Sequence, residues 1–249
     1  MKKFKEIVIG IFILSLVVFL IVTLFRYQST KTNRELARRI AELSPRGGPP
    51  ETIDGLRQAI ALYETQIERN VREGAQTGVY WKILGIRLSD RGMHNDALAA
   101  FERAIYYNGD DPVIFYLTGV SAGKVAKDKV GFSANAMKEK EHFFTLAENA
   151  YKRALELDAT YTKPMYGLAV LYVFELNRPA EAIEYLERFL SIQTSDISAM
   201  FVLASAYYLT GNSTRAIETY DRIITRTKNK EFRERALENI DLIRERYYE

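Results

Sequence analysis

Residues 197–226 read ISAMFVLASAYYLTGNSTRAIETYDRIITR, and residues 78–107 read GVYWKILGIRLSDRGMHNDALAAFERAIYY. Superposed, Leu84-Gly85 falls on Leu203-Ala204, Leu88 on Tyr207 and Arg91-Gly92 on Thr210-Gly211. Ala97 then falls on Ala216, Phe101 on Tyr220 and Ala104 on Ile223. Each stretch carries helical apolar spacing on both sides of a glycine turn. Small residues at Gly85, Ala97 and Ala104 allow two helices to approach closely. Phe101 and Tyr220 are large enough to fill the space between successive hairpins. Gly92 and Gly211 supply the turn, where backbone freedom is needed.

Working outward, two more hairpins share the pattern less cleanly. Residues 162–196 hold Leu168-Ala169, Tyr172, Ala182, Leu186 and Phe189. Their turn, Leu176-Asn177-Arg178-Pro179, is one residue longer than its neighbours'. Residues 112–161 open with Phe115 and Gly119 and close with Ala147, Tyr151 and Ala154. Between these ends lies an insertion, placed at 124–146, that carries Lys124, Lys127, Lys129, Lys138 and Lys140. It reads as both helices extended, with Val130-Gly131-Phe132-Ser133 at the bend. Ala59 and Tyr63 mark an opening helix over 51–77. Phe232, Ala236, Ile240, Ile243 and Tyr247 form one apolar stripe on a closing helix over 231–249, whose charged outer face suits a solvating cap.

The spacing over about 78–230 resembles the tetratricopeptide repeat: Trp81, Leu84-Gly85, then Ala97, Phe101 and Ala104. Repeats are assigned to 78–111, 112–161, 162–196 and 197–230. The resemblance implies an all-α solenoid of helical hairpins, a right-handed superhelix with a concave face. Four repeats exceed the roughly three needed to bury a continuous core.

That fold binds partners rather than transforming substrates, and no chemistry argues otherwise. The chain has no cysteine, which excludes disulfides, thiolate metal sites and a cysteine nucleophile. His94 and His142 lack a second ligand at metal spacing and read as surface histidines. There is no phosphate-binding glycine loop and no nucleophile elbow. No catalytic residue, metal site or cofactor is expected.

First-helix residues that point away from the second helix line the concave side. By spacing they include Lys82 and Ile86, then Tyr116 and Val120, then Tyr166, Val170 and Phe174, then Phe201, Ser205 and Tyr208. Aromatic side chains offer large area at low entropy cost, so an extended peptide or amphipathic helix is the expected occupant. Some tetratricopeptide co-chaperones clamp a terminal carboxylate with lysine and asparagine. Lys82 matches the first lysine, but Ile86 stands where the asparagine is needed, so such a clamp is not expected.

The N-terminus is a different kind of sequence. Residues Ile7 to Phe25 are uncharged and almost wholly apolar, long enough at about 1.5 Å per residue to cross a hydrocarbon core of about 30 Å. No small-residue cleavage site follows, so the reading is an uncleaved single-pass transmembrane helix over 7–25 behind a basic leader, 1–6. Residues 26–50 form a basic arm ending in Ser44-Pro45-Arg46-Gly47-Gly48-Pro49-Pro50, which is no helix interior. The leader balance is +2 and that of the stretch to Arg46 is +4. The formal total is +3, leaving −3 for residues 47–249. A mildly acidic body argues against nucleic-acid binding.

Both flanks of the apolar block are basic, so the positive-inside rule does not decide orientation cleanly. A short basic leader favours an exported body, in the periplasm of a bacterial inner-membrane protein. The function expected is a non-enzymatic membrane-anchored adaptor, an accessory or assembly factor of a bacterial envelope complex. The alternatives are a cytoplasm-facing docking receptor and a regulatory subunit of a membrane-bound enzyme. The alignment has a stability consequence. Ala216→Trp overpacks a helix seam and is expected to lower stability by about 1–3 kcal/mol or more; an unchanged melting temperature removes the basis of the alignment.

Overall fold

The structure, a computed structural model, describes residues 34, 35, 38, 39, 42, 52–129 and 133–247. The expected leader, transmembrane helix and Gly/Pro linker lie outside the described residues, as do residues 130–132 of the expected bend. The chain divides into two compact units, Met1–Glu73 and Gly74–Glu249.

In the first unit, Arg34, Glu35, Arg38, Arg39 and Glu42 are helical and exposed. Arg38 pairs with Glu42 at 3.4 Å and Arg39 with Glu35 at 3.3 Å, the one-turn spacing that supports an exposed helix. Helix α1, Ile53–Asp90, begins in this unit. Thr52 Oγ1 caps it by accepting from the Gly55 amide at 3.0 Å. The helix runs without a break through 77/78, the boundary drawn between opening helix and first repeat. No proline or turn sequence interrupts it there, and Gly74 and Gly78 face the end of the next helix. A Cβ on Gly78 would stand 2.7 Å from Asn108 and 2.8 Å from Tyr107.

The second unit is a stack of antiparallel hairpins. The end of α1 packs on α2 (His94–Tyr107); then α3 (Pro112–Asp128) pairs with α4 (Ala134–Leu157). α5 (Thr162–Phe174) pairs with α6 (Pro179–Ile192), and α7 (Ile197–Leu209) with α8 (Ser213–Arg226). α9 (Lys230–Tyr247) closes the stack against α8. The α3–α4 hairpin is longer than its neighbours: α3 has 17 residues against 13 in α5, and α4 has 24 against 14 in α6.

Local chemistry sets the breaks. Asp111, Ser133, Asp196 and Asn212 each accept from an amide in the first turn of the helix that follows. Within hairpins the turns need a left-handed residue. Gly92 and Gly211 have φ of 76° and 80°. Asn177, the residue type next best suited to that region, takes the same role at 51°. The longer turn around it is closed by the Arg178 amide donating to Tyr172 O at 2.8 Å.

The core follows from close approach. Ala97, Ala104, Ala147, Ala154, Ala182 and Ala216 are fully buried. A Cβ on Gly85 would lie 2.4 Å from the Phe101 ring. Tyr151 of α4 lies against both α3 and α5. A Cβ on Gly119 would meet its ring at 2.6 Å, and one on Gly167 at 2.9 Å.

A polar knot ties three helices together. Glu148 of α4 accepts from Lys152 Nζ at 2.7 Å, from Tyr172 Oη of α5 at 3.0 Å and from Arg178 at the start of α6 at 2.9 Å. Arg178 also forks onto Glu181 at 2.5 Å and stacks over the Tyr172 ring at 4.6 Å. Burial acts to raise the Glu148 carboxyl, but the bonds from Lys152, Arg178 and Tyr172 outweigh it and hold the group below its usual range. A depressed carboxyl contributes stability above its unfolded pKa of about 4.3, and loses it as pH falls toward the folded value. Glu148→Gln is therefore expected to cost about 1–3 kcal/mol at neutral pH. In denaturant melts the difference should shrink progressively below about pH 4.3.

Candidate functional site

The first helices of successive hairpins, α3, α5 and α7, present one continuous face. Tyr116, Val120, Tyr166, Val170, Phe201, Ser205 and Tyr208 are all half-buried on it. Phe174 is 57% exposed, a large ring left without cover at the end of α5. Two cavities open on this face, and Tyr166 lines both.

The first cavity, about 220 Å³, lies between α3, α4 and α5. Tyr116, Val120, Tyr151, Tyr166 and Val170 line it, with Phe144 of α4. Tyr116 meets Tyr161 edge-on at 5.5 Å and Tyr151 at 6.2 Å. Lys124, Lys127 and Lys163 stand around the same cavity. Lys127 is bound to Glu175 at 2.7 Å, and Lys163 lies 5.9 Å from the Tyr116 ring. Burial raises the Tyr116 phenol. Burial, then the charges near Tyr116, Asp111 and Asp158, pushes Tyr161 to about 12. Tyr166 is raised by burial and by Asp196. These phenols remain neutral hydrogen-bonding groups at any physiological pH, so the charge of the site comes from its lysines.

The second cavity, about 350 Å³, joins Tyr166, Phe174, Phe201 and Ser205 to Phe232, Arg235 and Asn239 of α9. Phe232 meets Phe201 edge-on at 6.0 Å, and Arg235 lies over the same ring at 5.1 Å. The closing helix thus covers part of the face that α7 presents. Its apolar stripe, Phe232 included, is legible in the sequence; the contact of Phe232 and Arg235 with Phe201 is not.

The structure does not bring every expected residue into these cavities. Lys82 pairs with Asp111 at 2.7 Å, holding the cap of α3 rather than facing open space. Ile86 packs beside Phe101 and Ile114. Tyr208 sits at the margin of the core and lines neither cavity. Conversely, Lys163, Glu175 and Arg235 were absent from the sequence expectation. Lys124 and Lys127 were visible only as members of a lysine-rich insertion.

A third cavity, about 340 Å³, opens between α6 and α8. Tyr207 Oη donates to Glu187 there at 2.5 Å, and Arg215 pairs with Glu187 at 3.6 Å while lying 5.4 Å from the Tyr207 ring. Its polar groups satisfy one another across two repeats, much as Glu148, Tyr172 and Arg178 do one step earlier.

Comparison with known proteins agrees with this geometry. The family model for the tetratricopeptide repeat matches residues 139–197 and 174–231. A TPR repeat-containing protein of Borreliella burgdorferi is 22% identical over 206 residues, 82% of this chain and 87% of that protein. MamA 41-end from Desulfovibrio magneticus RS-1 superposes with a TM-score of 0.55 at 13% identity, covering 69% of this chain and 92% of that one. YrrB, described as a TPR protein with an unusual peptide-binding site, gives 0.54 at 18% identity, over 71% of this chain and 80% of its own. Residues 139–231 thus match the tetratricopeptide-repeat model, and the body they lie in has the helical-solenoid fold of those structures.

Proposed function

We propose that this protein is a non-enzymatic, membrane-anchored scaffold that captures a partner protein on the α3–α5–α7 face. The observation that carries this reading is the row of aromatics from half-buried Tyr116 and Tyr166 to exposed Phe174, flanked by two adjoining cavities. A face built only for stability would bury these rings. One built for capture leaves them partly wet, as anchors for a partner's side chains. Phe174 fits this role best, having the greatest exposure of the set.

The anchor is read from residues 7–25, outside the described residues. Among the described residues no helix is long and apolar enough to cross a membrane. Tethering to a bilayer raises the effective concentration of groove and partner when both lie at the same surface. We favour the exported orientation, with the body serving an envelope complex as an accessory or assembly factor. A basic arm after the apolar block supports the opposite orientation and a cytoplasmic docking receptor.

Three experiments test the reading. A protease-cleavable tag placed after Glu249 is expected to be cut from outside in sealed spheroplasts; protection until lysis overturns the exported orientation. Tyr166→Ala combined with Phe174→Ala is expected to abolish partner crosslinking to the face while leaving helicity intact by circular dichroism. Crosslinking that survives the double change would move the binding site elsewhere. Deleting residues 1–25 is expected to release the body from membranes into the soluble fraction.

A further inference from the structure

The α3–α5 cavity differs from the rest of the face in one respect: it is ringed by cations. Lys124 and Lys127 stand near the C-terminal end of α3, and Lys163 in the first turn of α5. The carboxylate that lines the cavity is Glu175, which is occupied by Lys127. Neither Lys124 nor Lys163 has a carboxylate partner among the described residues, and both are exposed. Between them lies an apolar floor of Val120, Phe144, Tyr151 and Val170.

We infer that this cavity takes an extended acidic segment of a partner protein, with one apolar side chain seated on the floor and acidic side chains toward both ends. The inference rests on the proposed capture function and specifies its ligand. The spacing argues for an extended segment. α3 and α5 are alternate members of an antiparallel stack and run in the same direction. Gly119 and Gly167 place them at matching heights against one Tyr151 ring. From that shared height Lys124 lies five residues past Gly119 and Lys163 four before Gly167, so the two sit about nine residues apart, or about 14 Å along the axes. One carboxylate cannot meet both. An extended chain of about four residues spans that length at about 3.3 Å each.

The insertion lengthens the cationic end. Lys127 lies in the extra length of α3, past the level at which α5 ends, while Lys124 lies within the height that α5 covers. With Ala147 level with Ala182, Phe144 stands level with the first residue of α6, so the floor is built from the ordinary length of α4. One further lysine adds to the positive field nearby: Lys140 lies 5.5 Å from the Phe144 ring, whereas Lys129, 5.7 Å from Phe143, is paired with Glu139 at 2.8 Å. Charge of this kind speeds encounter with an acidic partner and sets the register of what binds.

The test uses the full chain in detergent and fluorescently labelled six-residue peptides. One has glutamate at both ends, serine spacers and a central phenylalanine; its control has glutamine at both ends. Anisotropy is expected to show binding of the acidic peptide at least tenfold tighter than the control, with the difference falling as salt rises. Lys124→Glu combined with Lys163→Glu should remove the preference while leaving the melting temperature near that of the parent, since both side chains are exposed. Equal affinity for the two peptides, or an unchanged preference in the double variant, overturns the acidic-segment inference. If both peptides bind equally and binding is lost with Tyr166→Ala and Phe174→Ala, the capture function stands without it. If neither peptide binds and the face crosslinks no partner, the capture function falls as well.

Discussion

Two helix backbones can approach closely only where a side chain is missing, and this stack is built on that constraint. Tyr151 shows it most fully. Its ring occupies the space that Gly119 and Gly167 leave open, on the two helices that flank α4. A methyl group at either position would collide with it. The ring is therefore fixed from both sides, and with it the separation and relative height of α3 and α5. The face those helices present inherits its geometry from this contact. Phe101 against Gly85 repeats the device at the start of the stack.

Polar contacts then fix what the apolar seam leaves free. An apolar seam specifies distance better than rotation, because hydrophobic contact is non-directional. Directional bonds from Glu148 to α5 and to the start of α6 supply the missing orientation. Glu187 with Tyr207 and Arg215 does the same between α6, α7 and α8. Neither knot lines the two cavities beside the aromatic row, so orientation is fixed without occupying that face.

The hairpins were legible in the sequence because their signals are local. Gly92 and Gly211 mark turns by a backbone need, and alanines at a fixed spacing mark the seam. The long turn at Leu176 to Pro179 was also readable, although only the structure shows Asn177 adopting the left-handed conformation. Contacts between residues distant in sequence were not readable. Lys82 looks like a groove cation until Asp111, 29 residues away, is found beside it. Phe201 looks open until α9 folds Phe232 and Arg235 onto it. The boundary at 77/78 was drawn by repeat arithmetic, whereas a helix ends only where hydrogen bonding or backbone geometry stops it. Nothing between Glu73 and Gly78 does so.

The length of α4 also has a mechanical side. Its 24 residues rise about 36 Å, against about 21 Å for the 14 of α6. The outer turns, around Met137, therefore extend past the neighbouring hairpin and are solvent-exposed. A rigid rod seated at Tyr151 and tied near its far end by Glu139 to Lys129 can act as a lever arm. Force applied near residue 137 would arrive at the Tyr151 contact amplified by the ratio of the two arms. That contact is the one that sets the spacing of α3 and α5, so traction on the protruding end would be felt first as a change in groove width.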